Sequence, residues 1–230
     1  MKIKYLGHSA FLISTKETNI LIDPFIKDNP LCSLSLKELP KIDYILVTHG
    51  HSDHLGDTIS IAREHSANVI CNFEISLYLQ KYNIKCHPMH IGGRFDFPFG
   101  NVKMTIAIHG SGIIDGNHVV YGGNPCGFIL NIEDKKIYHA GDTGLTMEMK
   151  LLERENIDIA MLPIGGNFTM DLDDCVLACD FIKPKTIIPM HYDTFDLIKS
   201  HPSDLTSKLE EINLSSIKID ILKPEEEKNY

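Results

Sequence analysis

No apolar run in this chain approaches the ~20 residues that span a bilayer, so a membrane-spanning helix is not its organising feature. An apolar stretch behind Met1 is lacking too. The chain passes straight into Lys2-Ile3-Lys4-Tyr5, an alternating strand pattern, and a cytoplasmic protein without membrane attachment is expected. Positive charge is in short supply: 22 lysines and arginines face 31 aspartates and glutamates, a net −9. That balance argues against a broad nucleic-acid-binding face. The six cysteines form no C-x-x-C pair and no regular spacing, which argues against a disulfide framework and against a thiolate metal site. Cys175 and Cys179 lie four apart on a helical pattern and read as buried thiols. No short-period repeat is present, so the chain is not a solenoid.

What is present is ordinary in bulk and concentrated at one point. With 230 residues, 43% hydrophobic and 23% charged, the chain fits one domain with a sizeable core. That domain is expected over residues 1–222, followed by a polar tail at 223–230 that frays. The concentrated point is His49-Gly50-His51-Ser52-Asp53-His54. It follows Tyr44-Ile45-Leu46-Val47, a buried strand pattern, and precedes a helical pattern over Thr58 to Ala67. Potential metal ligands at the carboxyl end of a strand are where sites of open α/β sheets collect. Imidazole and carboxylate suit ions such as Zn²⁺ and Mn²⁺. Four donors in six residues need more than one ion, because a single tetrahedral ion seldom takes all its ligands from so short a turn. A merely solvated, histidine-rich loop is the plain alternative, and spacing this compact argues against it.

Elsewhere, strands are expected at Lys2 to Leu6, Ala10 to Ile13, Asn19 to Ile22, Asn68 to Cys71, near Ile84, Val102 to Ile108, Gly127 to Ile132, Lys136 to His139, Asp158 to Leu162 and Thr186 to Pro189. Helices are expected at Phe73 to Tyr82, Lys150 to Glu155, Asp171 to Ile182 and Pro202 to Ile212. Strands precede helices twice over, which suggests two αβ halves packed sheet on sheet.

At the histidine loop the chain resembles the metallo-β-lactamase superfamily, whose signature is His-x-His-x-Asp-His. The likeness extends through Gly7-His8-Ser9-Ala10, Ile22-Asp23-Pro24-Phe25, His90-Ile91-Gly92-Gly93, His109-Gly110-Ser111, His139-Ala140-Gly141-Asp142-Thr143, Leu162-Pro163-Ile164-Gly165 and Pro189-Met190-His191-Tyr192. Within it the chain is similar to a subgroup of small metal-dependent hydrolases that resemble ascorbate-6-phosphate lactonase. The resemblance implies an α+β fold, a four-layer αβ/βα sandwich of two mixed sheets flanked by helices, with a metal site along one edge.

It also implies a ligand set. His49, His51 and His109 would hold one divalent ion, and Asp53, His54 and His191 a second, with Asp142 bridging. Zn²⁺ is the first expectation, and Mn²⁺ or Fe²⁺ suit the same donors. His90 and His118 compete with His109, which is preferred for its strand-end position and its His-Gly-Ser match. Asp23 resembles a family aspartate that supports the ligands from behind. His139, three before Asp142, either orients that carboxylate or simply packs. Asp53 is expected to anchor an ion and orient the nucleophile, and His8 to move protons without binding metal. Ser111 and Asn167, on glycine-rich loops, are expected to meet substrate.

Two cations about 3.5–4 Å apart lower the pKa of a bridging water to give hydroxide, which attacks a small ester, lactone or phosphodiester. The expected partner is therefore a small-molecule substrate, with homo-oligomer formation left open. Two other enzyme readings compete. Diiron redox proteins of the superfamily usually carry glutamate where this chain has His51. A nuclease acting on nucleic acid sits poorly with the acidic balance.

Overall fold

The computed structural model describes residues 1–230. In the first half, β1 (Lys2–Tyr5), β2 (Phe11–Ser14) and β3 (Asn19–Ile22) form an antiparallel meander. There follow β4 (Tyr44–Leu46), the one-turn helix α1 (Ser52–Leu55), α2 (Thr58–His65), β5 (Asn68–Asn72), α3 (Phe73–Gln80) and β6 (Cys86–Met89). The second half holds β7 (Arg94–Phe97), β8 (Gly100–Ile106), β9 (Gly112–Asp115), β10 (His118–Tyr121), β11 (Cys126–Ile132), β12 (Lys135–His139) and β13 (Ile159–Pro163). It closes with α4 (Leu172–Ile182), β14 (Thr186–Met190), α5 (Leu205–Glu211), β15 (Lys218–Ile219) and β16 (Glu227–Asn229). Two seven-stranded mixed sheets result, ordered β16-β1-β2-β3-β4-β5-β6 and β15-β14-β13-β12-β11-β8-β7, with β9 and β10 as a separate hairpin.

Period-two alternation divides the first sheet between two cores. Phe11, Ile13, Ile20 and Ile22 face the second sheet, where they meet the core that holds Phe128, Leu130 and Tyr138. Leu12 and Leu21 point the other way, into the layer with Ile61 and Ala62 of α2 and Ile75 and Leu79 of α3. On the far side Cys175, Ala178, Cys179 and Ile182 of α4 join the larger core. Each fully buried Ile, Leu or Phe contributes roughly 1.5–3 kcal/mol over its exposed state. Helix, sheet, sheet, helix: the four-layer sandwich is the observed fold. All six cysteines are free, and Cys32 and Cys86 are only half-buried. No helix is long and apolar enough to cross a membrane.

Several expectations are corrected here. The tail does not fray: Lys228 pairs with Ile3 in an antiparallel edge strand, and the phenol of Tyr230 donates to buried Asp220 at 2.8 Å. An edge strand is held by backbone bonds and needs no apolar side chains, so its polarity hid it. The strand of Asp158 to Leu162 does not stop before Pro163, because the ladder bond comes from Ile164 N–H to Met190 O at 3.1 Å and needs no proline donor. Met147–Glu155 is a 3₁₀ helix that begins earlier than expected, capped by the Thr146 hydroxyl on Glu148 N–H. The helix expected from Pro202 is a 3₁₀ turn, Pro202–Asp204, followed by α5. The Arg94–Phe97 edge strand and the β9–β10 hairpin were not foreseen, being short and largely exposed.

β1 runs with β3 and β4 in the first sheet, and β8 runs with β12, β13 and β14 in the second. The loops that follow these strands carry the ligand candidates.

Candidate metal centre

His8 follows β1, Asp23 follows β3, and His49 to His54 follow β4 and open α1. From the second sheet come His109 after β8, Asp142 after β12 and His191 after β14. The two sheets bring these side chains together. The donor atoms of His49, His51 and His109 lie within 4.8 Å of one another, as do those of His8, Asp53, His54 and His191. Asp142 joins the two groups: its Oδ2 is 2.9 Å from His191 Nε2, 3.2 Å from His54 Nε2, 3.5 Å from His109 Nε2 and 3.9 Å from His49 Nε2.

Behind the donors runs a hydrogen-bond chain that sets their tautomers. Buried Asp23 accepts Thr48 N–H at 2.8 Å, the Thr48 hydroxyl at 2.7 Å and His54 Nδ1–H at 2.8 Å. With its proton on Asp23, the Thr48 hydroxyl accepts His49 Nδ1–H at 2.9 Å. Both imidazoles therefore carry a proton on Nδ1 and turn Nε2 inward, the nitrogen left to ligate a cation. His8, Asp23 and His191 adopt φ of 58°, 45° and 54°. For residues other than glycine that conformation costs of order 1–3 kcal/mol each, and it collects at functional sites.

The charges are strongly coupled. Burial opposes ionisation of His54, yet the Asp142 and Asp23 carboxylates on either side hold it well above the usual histidine range. Burial also opposes the Asp142 charge, but His54 and His191 pull it well below the usual carboxylate range. His49 is lowered by burial and by its histidine neighbours. Asp142 Oδ1 and His54 Nε2 are buried without a hydrogen-bond partner. Buried orphans of this kind are costly and rare. Divalent cations fit them: a cation would replace the proton between His54 and Asp142, and the nitrogen and carboxylate donors converge where Asp53 and His109 leave the site partly open.

His8 sits among the second group with both ring nitrogens engaged. Nε2 is 3.1 Å from Asp53 Oδ2 and Nδ1 is 2.9 Å from Thr194 Oγ1. Burial pushes it down to about 4 against the pull of Asp53, so it is neutral at pH 7, with Nε2–H donating to the carboxylate and Nδ1 accepting from Thr194. Thr194 thus aims Asp53 through His8. Thr194→Val is expected to weaken binding of one ion roughly 10–100-fold, the usual cost of losing a residue that supports a ligand. Thr194→Ser should restore it. Calorimetric titration with Zn²⁺ reads this, and wild-type affinity in the valine variant would release Thr194 from the role.

Other expected residues fall elsewhere. Ser111 is buried, and its hydroxyl accepts from Gly50 N–H at 3.0 Å and donates to Gly122 O at 2.8 Å, so it braces the ligand loop and has no proton left to donate to substrate. Asn167 lies exposed at a turn with φ 50°, on a loop tied to Thr143 O through Met170 N–H. His139 makes no contact with the Asp142 carboxylate. Its Nε2–H donates to Ser9 O at 3.0 Å and its Nδ1 accepts Gly141 N–H at 3.2 Å, which links the two halves and shapes the backbone before Asp142. His90 stacks on Phe73 and His118 is exposed on β10, both outside the donor groups. Thr48 and Thr194 were overlooked. A threonine directly before the first ligand was a usable signal; Thr194, 186 residues from His8, offered none.

A family model described as a beta-lactamase superfamily domain matches residues 18–192. The chain belongs to the metallo-β-lactamase superfamily. Among superfamily relatives, a UPF0173 metal-dependent hydrolase of Alkaliphilus metalliredigens is 53% identical over 225 residues, covering 94% of this chain and 99% of that protein. Among solved structures, the metallo hydrolase Igni18 of Ignicoccus hospitalis is 33% identical with a TM-score of 0.88, over 100% of this chain and 98% of that one. An isothiocyanate hydrolase from Delia radicum gut bacteria has a TM-score of 0.78 at 19% identity, covering 100% and 99% of the two chains. That last likeness shows the fold alone.

Proposed function

We propose that this superfamily member is a hydrolase that works with two divalent ions on a small ester, lactone or phosphodiester. The observation that carries the reading is Asp142 Oδ2, placed between two groups of donors that each draw on both sheets. His49, His51 and His109 would hold one ion, Asp53, His54 and His191 the other, and Asp142 both. When bound, such a pair supplies a water of lowered pKa and a Lewis acid for the substrate oxygen. The chain's own residues do the rest. Asp23 and Thr48 hold the Nδ1–H groups of His54 and His49, so that their Nε2 atoms face inward to ligate. Asp53, held by His8, orients the attacking water. His8 Nε2–H, which holds Asp53, adjoins the second donor group, where it would hydrogen-bond a departing oxygen.

The balance is that of simple hydrolysis. The bond from carbonyl carbon or phosphorus to the leaving oxygen breaks, the hydroxyl of one water takes its place, and the remaining hydrogen ends on the leaving group. The relatives' description as metal-dependent hydrolases supports this reading. A screen of Zn²⁺- or Mn²⁺-loaded protein against carboxylic esters, lactones and phosphodiesters tests it. At least one class should be turned over, lost on chelation and regained on adding metal back. Failure of all three classes would sink the reading.

A further inference from the structure

We infer that the outer edge of β7 pairs with β7 of a second copy of this chain, in an antiparallel two-fold contact centred on Phe95. The contact would join two seven-stranded sheets into one and uses none of the candidate ligands. The two large sheets end in β16, β6, β15 and β7, and three of these edges are blunted in ways that keep strands from pairing. β15 is two residues long, β6 carries Pro88, and β16 is three residues long with Lys228 at its centre. β7, Arg94-Phe95-Asp96-Phe97, has neither proline nor lysine, and only Phe97 is buried. Its backbone is set to bond outward. Met104 O accepts Gly92 N–H at 2.8 Å and Met104 N–H donates to Gly93 O at 2.9 Å, so both groups face the β7 side. Alternation along β8 turns Val102 the same way, toward its partner Phe95. Arg94 and Asp96, on either side of Phe95, therefore turn their N–H and C=O groups to the open edge.

Charge selects both the partner and the register. Arg94 Nη2 and Lys103 Nζ share Glu155 Oε1, at 3.0 and 2.7 Å, so positive charge is in excess at that end of the strand. Asp96 accepts only from the uncharged amide of Asn101, at 2.6 Å, so the other end is negative. An antiparallel copy brings the negative end of each strand to the positive end of the other. With Phe95 on the axis, Arg94 lies opposite Asp96 of the second copy, and Asp96 opposite its Arg94. In both pairs the residues exchange both N–H···O bonds, and the two Phe95 side chains meet at the closer, non-hydrogen-bonded position. Phe95 is 46% exposed at the open end between the sheets, where its ring packs 4.2 Å from His87 of β6 and 4.8 Å from Phe97. The second ring would cover it. Moving the axis to Arg94 or to Asp96 sets like charges opposite each other, which is destabilising. A contact of this kind is the same patch on both copies and closes at two.

The test is sedimentation velocity of the full chain from about 5 to about 500 µM at low salt, where exposed charges are least screened. A concentration-dependent shift from monomer to dimer is expected, and added salt should weaken it. Asp96→Arg sets like charges at both pairs and should raise the dimer Kd at least about tenfold, as should Arg94→Asp. Mixed in equal amounts, these two variants regain opposite charges at both pairs and should form a dimer that neither forms alone. Asp96→Pro removes an outward N–H that the monomer does not use and should also prevent pairing. Circular dichroism checks that each of these exposed substitutions leaves the fold intact. A chain that stays monomeric up to about 500 µM at low salt would overturn the inference. So would a dimer that persists unchanged in Asp96→Arg and Asp96→Pro, or a mixture of the two charge variants that fails to associate.

Discussion

Asp142→Asn is expected to leave a folded protein that binds one ion tightly and hydrolyses substrate at least ~10²-fold more slowly. Loss of a residue that merely supports a ligand costs roughly 10–100-fold, and a carboxylate shared by two donor groups should cost more than the upper figure. Asp142 Oδ2 lies within 3.9 Å of four imidazole nitrogens, and its charge is sustained by His54 and His191 against burial. An amide of the same size keeps the packing and removes the charge. Folding should survive at some cost in stability, because the amide keeps the size while Oδ2 loses its charge pairing with His54 and His191. Circular dichroism, metal analysis and turnover on one preparation separate these effects. Two ions and near-normal turnover would remove Asp142 from the bridging position.

Asp23→Ala should act mainly on stability. The carboxylate is fully buried and satisfies three groups at once: Thr48 N–H, the Thr48 hydroxyl and His54 Nδ1–H. Removing one partner of a buried charged network costs roughly 3–5 kcal/mol, and at ~2–4 °C per kcal/mol for a chain of this size Tm should fall by roughly 6–20 °C. Ion affinity should fall as well, since His49 and His54 lose what fixes their tautomer. Asp23→Asn keeps an acceptor for Thr48 N–H and should recover part of the stability but little of the affinity. An alanine variant with unchanged Tm would mean that the network contributes little.

The framework was legible where residues face two packed layers. Phe11-Leu12-Ile13 and Ile20-Leu21-Ile22 alternate between the cores, and the strand pattern is that alternation. The ligand loop was legible because four donors in six residues serve no packing purpose. Ser111 misled because a serine between glycines reads as a flexible, ligand-facing turn, while the fold uses its hydroxyl to join Gly50 to Gly122. The His139 contact with Ser9 spans 130 residues, and no local pattern records it. β16 escaped notice for a related reason, since its partner is β1 at the other end of the chain and its side chains are polar. Contacts made by backbone or by single hydroxyls across the fold leave little trace in composition or period.

The central claim is a two-ion centre assembled by both sheets around Asp142. Its most direct test is elemental analysis of protein saturated with Zn²⁺ or Mn²⁺ and then freed of unbound metal. Two ions per chain, falling to one in Asp142→Asn, is the predicted result. No more than one ion per chain in the unsubstituted protein, with either metal, would contradict the account.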